Sequence, residues 1–126
     1  MKPNHSSVKR EQKTALFLRE LSTLIQNLSQ DEPKLSKIYV SRVELSKDYK
    51  ICYVYFSSYA DKKDFDEALE ILKLYKPSLK KALAQAVIGK YTADLRFLYD
   101  EAIEKERHMQ ELLDKIAQEE EDNESK

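Results

Sequence analysis

Apolar residues between positions 9 and 28 recur at spacings of three and four, which predicts an amphipathic helix. The positions that form this stripe are Leu18, Leu21, Ile25 and Leu28, joined by Phe17 and Leu24. The run QDEP at residues 30–33 combines turn formers with a proline, and the residue before a proline disfavours helix. We therefore expect the helix to end before Pro33.

Two short segments rich in β-branched and aromatic residues follow, at residues 38–45 and 51–57, and both are predicted to be strands. The link at residues 46–49 suits a hairpin loop, which makes the two strands antiparallel. In the second strand Cys52, Val54 and Phe56 share one face, which we expect to point to the core.

The first strand alternates less regularly than the second. Ile38 and Val40 are out of phase with the apolar positions 43 and 45. Either a bulge near Ser41 or Arg42 or a sheet end packed on both sides reconciles the two sets.

An acid-rich run at residues 61–66 is a start signal for the next helix. The apolar residues that follow at helical spacing are Phe65, Ala68, Leu69 and Leu72, and then Leu79, Ala82, Leu83, Ala86 and Val87. Between the two sets stand Tyr75, Lys76 and Pro77. Proline inside a helix costs about 3 kcal/mol but is tolerated in its first turn. We therefore predict two helices that meet at a kink formed by these three residues.

Residues 94–99 are predicted to form a third strand, so the chain is expected to be an α+β domain with a three-stranded sheet covered by helices. We expect a flexible N-terminus at residues 1–8, the domain at residues 9–100 and a C-terminal helical extension at residues 101–118. The acidic block that follows predicts a disordered tail at residues 119–126.

The net charge of −1 is unevenly distributed along the chain. Residues 1–100 contain 18 Lys or Arg and 13 Asp or Glu, a balance of +5, whereas residues 101–126 have a balance of −6. The body is therefore mildly basic, which is compatible with a nucleic-acid partner.

Residue content restricts the possible chemistry. The only glycine is Gly89, which excludes glycine-rich phosphate-binding loops and also the GxxG loop of ordinary KH domains. One cysteine, Cys52, and two histidines, His5 and His108, provide no zinc-ligand spacing and no apolar setting for a catalytic base. We expect no catalytic residues, no metal and no cofactor.

The location of the protein is also constrained by the sequence. No apolar run approaches the roughly 20 residues of a membrane span. Residues 1–7 lack the apolar stretch of a secretory signal, so we expect no such signal. A single free cysteine is typical of a reducing compartment. We expect a cytoplasmic protein with no membrane partner.

Four stretches of sequence indicate a family. They are RVELSKD at residues 42–48, VYFS at 54–57, EAL at 67–69 and YTADLRFLYDE at 91–101. In this order and spacing the chain resembles the ribosome-binding factor A family from residue 9 to about residue 113. Tyr75, Lys76 and Pro77 stand where that family has an Ala-x-Gly kink, and Lys34 stands near the position of a family arginine.

The resemblance implies a KH-like domain of the second type, with the order helix, strand, strand, helix, kink, helix, strand. It also implies a protein without enzymatic activity that binds the free, immature 30S ribosomal subunit through 16S rRNA, and not the 70S ribosome. Such proteins assist late maturation of the subunit and processing of the 16S rRNA precursor near its 5′ end, and they are associated with growth in the cold. We expect this protein to act as a monomer.

The residues with the strongest case for RNA binding surround the predicted kink. A helix that begins at Pro77 has free backbone N–H groups that attract a phosphate. The cations around this point are Lys73, Lys76, Lys80 and Lys81. We expect Lys73, Lys76 and Lys80 to share a face opposite the apolar stripe; the alternative is that these lysines only solubilise the helix.

Other residues form a secondary set at predicted strand and loop edges. These further RNA-binding candidates are Lys34, Lys37, Arg42, Lys47, Lys50 and Lys90. Arg96 is either an ion-pair residue or part of the same footprint, and Tyr53 and Tyr55 are candidates for base stacking.

The acidic C-terminal segment has three possible roles that the sequence does not separate. It could dock a basic partner, compete with RNA for the lysines, or only increase solubility. An alternative function for the whole chain is a protein-interaction module, in which the C-terminal helix packs against a ribosomal or assembly protein.

Overall fold

The computed structural model describes residues 5–86 and 93–124. Its helices are α1 (His5–Ser29), α2 (Lys62–Ala86) and α3 (Glu101–Glu124). Its strands are β1 (Ile38–Leu45), β2 (Ile51–Ser58) and β3 (Asp94–Tyr99), and a short 3₁₀ helix at Pro33–Lys37 joins α1 to β1. All three strands lie where the sequence predicts them, and α1 ends before Pro33.

The strands form one sheet in the order β1-β2-β3. β1 is antiparallel to β2, as the short hairpin requires, and β2 is parallel to β3. The parallel pair needs a long crossover, which α2 provides. Helices α1 and α2 pack with the sheet around a single core, so the predicted α+β, KH-like fold is confirmed.

The core forms on the face of β2 that the alternation predicts. Cys52, Val54 and Phe56 are completely buried, against Phe17 and Leu21 of α1 and the apolar face of α2. Burial raises the pKa of the Cys52 thiol to about 12, so this cysteine packs as a small apolar side chain.

The irregular alternation in β1 has its cause in a β-bulge. Val40 pairs with Phe56, and Arg42 pairs with Tyr55, so Ser41 is an extra residue without a cross-strand partner. The extra residue shifts the phase between Ile38 and the later apolar positions, and both sets reach the core. Of the two explanations that the sequence left open, the structure shows the bulge.

The predicted break at Pro77 is wrong. α2 is a single helix of 25 residues with Pro77 inside it. Its start is as expected, because the Asp61 carboxylate accepts a hydrogen bond from the Lys63 backbone at 3.1 Å. The helix continues because Leu72 and Leu79, on either side of the proline, are both buried in the core. Packing of this face offsets the cost of the proline, which itself lies on the exposed side.

The two ends of the described chain also differ from expectation. α1 already begins at His5, so residues 5–8 are helical, and α3 extends through the acidic block to Glu124. The remaining terminal residues of the predicted flexible segments lie outside the described ranges.

From His108 to Glu121 every side chain of α3 is exposed, so this helix projects from the domain. In the part of the chain that the structure describes, no helix is both long and apolar enough to cross a membrane.

Candidate nucleic-acid interface

A cluster of cations lies where the second half of α2 meets the first residue of β3. The Asp94 carboxylate is 3.3 Å from the Lys76 ammonium and 3.5 Å from that of Lys80, and it is 3.4 Å from Nε of Arg96. The sheet fixes Asp94, whose backbone N–H donates to the Lys50 carbonyl oxygen at 2.8 Å. We call Lys76, Lys80, Arg96 and Asp94 the sheet-edge cluster.

The sheet-edge cluster has a surplus of positive charge. Burial alone would raise the pKa of Asp94, but the hydrogen bond and charge of Lys76, with Lys80 and Arg96, outweigh it and hold the pKa below its ordinary value. Asp94 is therefore ionised at neutral pH. One carboxylate against three cations leaves a net charge of +2, and each of the three cationic side chains remains partly exposed to solvent.

Lys76 and Lys80 do not lie opposite the apolar face of α2, although the sequence predicted this. At about 100° per residue, Lys76 lies about 40° and Lys80 about 80° around the helix from the buried Leu72. Both side chains are half-buried beside the core face, and this is why they reach Asp94. The predicted opposite face was wrong because each step of four residues turns the position by only about 40° around the helix. Residues 76 and 80 therefore stay on the side of Leu72.

The other two candidates on α2 occupy different positions. Lys73 is exposed and pairs with Glu70 at 3.5 Å, one turn away on the same helix. Lys81 is exposed and lies about 180° from Leu72, on the far side of α2. The structure therefore brings Lys76 and Lys80 together, places Lys73 next to them and separates Lys81.

The continuous helix removes one part of the predicted mechanism. Because α2 does not begin at Pro77, the N–H groups that follow it belong to a helix interior and do not form a helix N-terminus. Tyr75 has a structural contact, since its hydroxyl donates to the Glu32 carboxylate at 3.0 Å. That bond and the charge of Glu32 raise the pKa of Tyr75. Side-chain charge, rather than free backbone N–H groups, is what this surface offers to a phosphate.

The secondary candidates are distributed over separate places. Lys34 and Lys37 are exposed on the 3₁₀ helix, and neither makes an ion pair within the described residues. Lys47 and Lys50 are exposed in the β1–β2 hairpin. Lys90 lies outside the described residues. As RNA contacts, all of these stay predictions.

Arg42 is engaged inside the protein by the bulge. The Asp100 carboxylate accepts hydrogen bonds from the Ser41 hydroxyl at 2.8 Å and from Nε of Arg42 at 3.2 Å. The Arg42 guanidinium also pairs with Glu44 and lies 3.9 Å from the ring centroid of Tyr55. The bulge thus places the side chains of Ser41 and Arg42, two consecutive residues, next to Asp100, which immediately precedes α3.

The buried Asp100 carboxylate is ionised. Burial alone would raise its pKa, but the hydrogen bond from Ser41 and the charge and hydrogen bond of Arg42 lower the pKa below the ordinary value. Two of the stretches that carry the family resemblance, at residues 42–48 and 91–101, meet in this contact. It links the hairpin to the β3–α3 junction.

Tyr59, which is not in the predicted pair, has a more open surface than Tyr53 and Tyr55, which are both half-buried. Tyr55 lies under Arg42 and its hydroxyl donates to Glu44 at 3.4 Å, so one ring face is covered. Tyr59, which follows β2, is 70% exposed and contacts Tyr39 with 4.9 Å between ring centroids. Sequence reasoning missed this pair because Tyr59 lies one residue beyond the strand, where alternation no longer predicts its direction.

The fold and this surface define a KH-like domain with a cationic sheet edge. The chain belongs to the ribosome-binding factor A family, since the sequence profile of that family matches residues 9–113. It is 33% identical to ribosome-binding factor A of Halothermothrix orenii over 106 residues, which cover 84% of this chain and 86% of the relative. It is 34% identical to the Nitrosococcus oceani protein over 110 residues, 87% of this chain and 86% of the relative.

Solved structures show the same relationship. The crystal structure of ribosome-binding factor A from Thermus thermophilus matches with a TM-score of 0.63 and 30% identity, over 71% of this chain and 94% of that one. Coordinates of the Thermus thermophilus protein fitted into a cryo-electron-microscopy map of its complex with 30S match with a TM-score of 0.58 and 31% identity, over 71% and 92% of the chains.

Proposed function

We propose that this protein binds the immature 30S ribosomal subunit through 16S rRNA and assists late maturation of the subunit. The observation that carries the proposal is the similarity to the Thermus thermophilus protein fitted into a 30S complex, which extends over 92% of that chain. The proposed mode is binding without catalysis, as a cytoplasmic monomer that acts on the free subunit and not on 70S ribosomes. Assistance to 5′-end processing of the 16S rRNA precursor, above all in the cold, is part of the same proposal.

The sheet-edge cluster supports RNA as the ligand. The Asp94 carboxylate pairs with Lys76, Lys80 and Arg96, and because it neutralises only one of the three charges, the cluster keeps a net positive charge that attracts a phosphate. Lysine contacts to phosphate carry no base information, so this surface positions the domain on a folded RNA. Binding is expected to weaken steeply with added salt, because phosphate contacts release counterions.

Co-sedimentation with 30S particles tests the proposal. The variant Lys76→Glu with Lys80→Glu replaces two cations of the sheet-edge cluster by carboxylates and is expected to remain in the supernatant. The control, Lys62→Glu with Lys63→Glu, makes the same change of charge on the same helix, roughly 20 Å or more away along its axis. The control is expected to sediment with the subunit. Equal sedimentation of the two variants would reject the sheet-edge cluster, and no sedimentation of the wild type would reject the function.

A protein-interaction module is the second candidate, and one observation favours it. Helix α3 exposes an apolar stripe, with large side chains that are 44–57% exposed: Met109, Leu112, Leu113 and Ile116. The same helix carries ten acidic and three basic residues, which repel RNA and would suit a basic protein partner.

A substitution on the exposed stripe separates the two candidates. Leu113→Gln with Ile116→Gln removes apolar surface from a helix that projects from the domain, so the fold is not affected. Retained co-sedimentation with 30S supports RNA binding by the domain. Lost co-sedimentation, with unchanged binding to isolated rRNA, supports the interaction module.

A further inference from the structure

A second surface with the chemistry of a ligand site lies at the far end of the sheet from the hairpin. A cavity of about 390 Å³ opens between α1, the 3₁₀ helix and the start of β1, with Tyr39 and Tyr59 in its wall. A neighbouring depression of about 210 Å³ shares both tyrosines and adds Ser58 and Arg107. We call the two together the tyrosine cavity.

The aromatic pair of the tyrosine cavity presents an open ring face. The rings of Tyr39 and Tyr59 are tilted by 43° with 4.9 Å between their centroids, which is a favourable aromatic arrangement. Tyr39 is half-buried, and it supports the exposed ring of Tyr59 from one side. Tyr59 is held at its backbone, because its N–H donates to the Lys37 carbonyl oxygen at 3.2 Å. An exposed aromatic ring with a fixed backbone and a supporting ring is suited to stack on another flat ring.

Among the described residues, Arg107 is the one charged side chain that lines the tyrosine cavity. Arg107 of α3 reaches back to the end of β2, where one of its nitrogens donates to the Ser58 carbonyl oxygen at 3.3 Å and lies 3.5 Å from the Ser57 hydroxyl. The guanidinium has five N–H donors, so others are available to a phosphate. Lys34 and Lys37 are exposed on the 3₁₀ helix that forms one wall. No acidic side chain of the described residues lines either part of the cavity.

Polar groups in the wall can hydrogen-bond to the edge of a base. Ser22 and Gln26 of α1 line the cavity, and their side chains make no hydrogen bond within the described residues. The Ser58 hydroxyl is completely buried and has no hydrogen-bond partner in the described structure, although buried polar groups are nearly always paired. Side chains without a hydrogen-bond partner in the described structure therefore line both parts of the cavity, Ser22 and Gln26 in the larger part and Ser58 in the smaller.

We propose that the tyrosine cavity binds one unpaired base of single-stranded RNA, which stacks on Tyr59 while its phosphates contact Arg107, Lys34 and Lys37. Aromatic rings, cations and polar edges without a carboxylate are the combination with which proteins hold unstacked bases. The proposal rests on the proposed function only for the choice of RNA as the ligand. It adds a contact that distinguishes single strands from helices, which the sheet-edge cluster alone does not provide.

The variant Tyr59→Trp tests the proposal directly. The chain contains no tryptophan, so an indole at this position is the only one in the protein and its fluorescence reports on stacking. A short oligoribonucleotide of mixed sequence is expected to quench the indole saturably when it is single-stranded. The same strand annealed to its complement, and inorganic polyphosphate, are expected not to quench it. Absence of quenching by a single strand that is bound, or equal quenching by polyphosphate, would overturn the proposal.

Affinity measurements on full-length variants give an independent test. Tyr59→Ala is expected to weaken binding of the single strand by roughly 5- to 100-fold, the range of one base–aromatic stack, whereas Tyr59→Phe keeps the ring and most of the affinity. The control is Leu74→Ala, which removes a large side chain that is 79% exposed on α2 and is expected to change nothing. Circular dichroism checks that each variant is folded.

The outcomes separate this proposal from the proposed function. If Tyr59→Ala binds RNA like the wild type while Lys76→Glu with Lys80→Glu does not, the tyrosine cavity is rejected and the function stands. If Tyr59→Ala loses affinity for 30S subunits but not for naked single strands, the tyrosine cavity holds a protein partner and the proposal is overturned. If the wild type binds neither RNA nor subunits, both are rejected.

Discussion

The contact between the bulge and Asp100 gives a prediction that depends on an atomic arrangement. In Asp100→Asn the side chain keeps its shape and loses its charge. The carboxylate is 3% exposed and accepts hydrogen bonds from Ser41 at 2.8 Å and from Arg42 at 3.2 Å. Both bonds end on the same oxygen, Oδ2, so the Asn oxygen can still accept them but without the negative charge, and the amide nitrogen takes the buried place of Oδ1, which has no hydrogen-bond partner in the described structure.

The magnitude follows from these two bonds. Hydrogen bonds to charged groups contribute about 1.5–3 kcal/mol each, and neutral ones about 0.5–1.5 kcal/mol, so the change from carboxylate to amide costs about 1 kcal/mol a bond. Arg42 is 46% exposed, so solvent screens its charge and the larger values do not apply. We expect the free energy of unfolding to fall by about 2 kcal/mol. For a chain of this length, the melting temperature falls by roughly 6–10 °C.

The same carboxylate makes the difference depend on pH. The pKa of Asp100 is lower in the folded protein than its ordinary value of 3.8. In the window between the folded and the unfolded pKa the unfolded state binds more protons, so stability falls as the pH falls through it. The difference between wild type and Asp100→Asn is therefore fully present at neutral pH, and it closes as the pH drops below the ordinary pKa of aspartate.

Urea unfolding followed by circular dichroism, at neutral pH and at successively more acid pH, measures both effects. The matched control is Asp66→Asn, an exposed position on α2 that is expected to change stability by less than about 0.5 kcal/mol. Equal stability of Asp100→Asn and the control at neutral pH would refute the reasoning. A difference from the wild type that stays constant into the acid range would show that its cause is not the charge of Asp100.

Three further predictions concern α2, β2 and the sheet-edge cluster. Pro77→Ala supplies the missing amide hydrogen inside α2 and is expected to raise the free energy of unfolding by up to about 3 kcal/mol; a loss of stability in urea unfolding would show that α2 needs the proline. Cys52→Ser places a hydroxyl in a fully buried apolar site and is expected to cost about 1–3 kcal/mol. The wild-type thiol, with its pKa raised to about 12, should react with iodoacetamide only as fast as the protein unfolds, and rapid labelling of the folded protein would contradict its burial. Asp94→Asn removes the one carboxylate of the sheet-edge cluster and should strengthen RNA binding at low salt in a filter-binding assay, so unchanged affinity would argue against this surface.

The sheet could be predicted from the sequence because its signals are local. Alternation along β2 predicts Cys52, Val54 and Phe56 as core residues. The phase shift along β1 predicts either a bulge or a sheet end packed on both sides, and the structure shows the bulge at Ser41. Both signals follow from the period of two along a strand, which any buried sheet face imposes.

The interruption of α2 could not be judged from local signals. The cost of Pro77 is a local quantity, whereas the burial of Leu72 and Leu79 depends on α1 and the sheet, which lie far away in sequence. The tertiary contribution is the larger one, and the helix continues. The helical acidic stretch of α3 is a second case in which local charge repulsion did not decide the structure.

The sequence predicts lysines that belong to the candidate site, but not how the residues of the site contact one another. Lys76 and Lys80 were recognisable as neighbours at a spacing of four, but their contact with Asp94 depends on where α2 crosses β3. The Tyr39–Tyr59 pair joins residues on two elements, and Tyr59 has no periodic signal. Contacts between elements are set by the packing of the whole domain, and this is why pattern analysis does not reach them.

The salt dependence of RNA binding tests the central claim most directly, namely that the sheet-edge cluster contacts phosphates. Neutral substitutions, Lys76→Gln with Lys80→Gln, remove two cations without adding repulsion. For single-stranded RNA the slope of log K against log salt concentration is about −0.7 for each phosphate contact, so the variant should lose about 1.4 of the wild-type slope. Lys62→Gln with Lys63→Gln should retain the slope of the wild type. The same slope for the wild type and both variants would contradict the account.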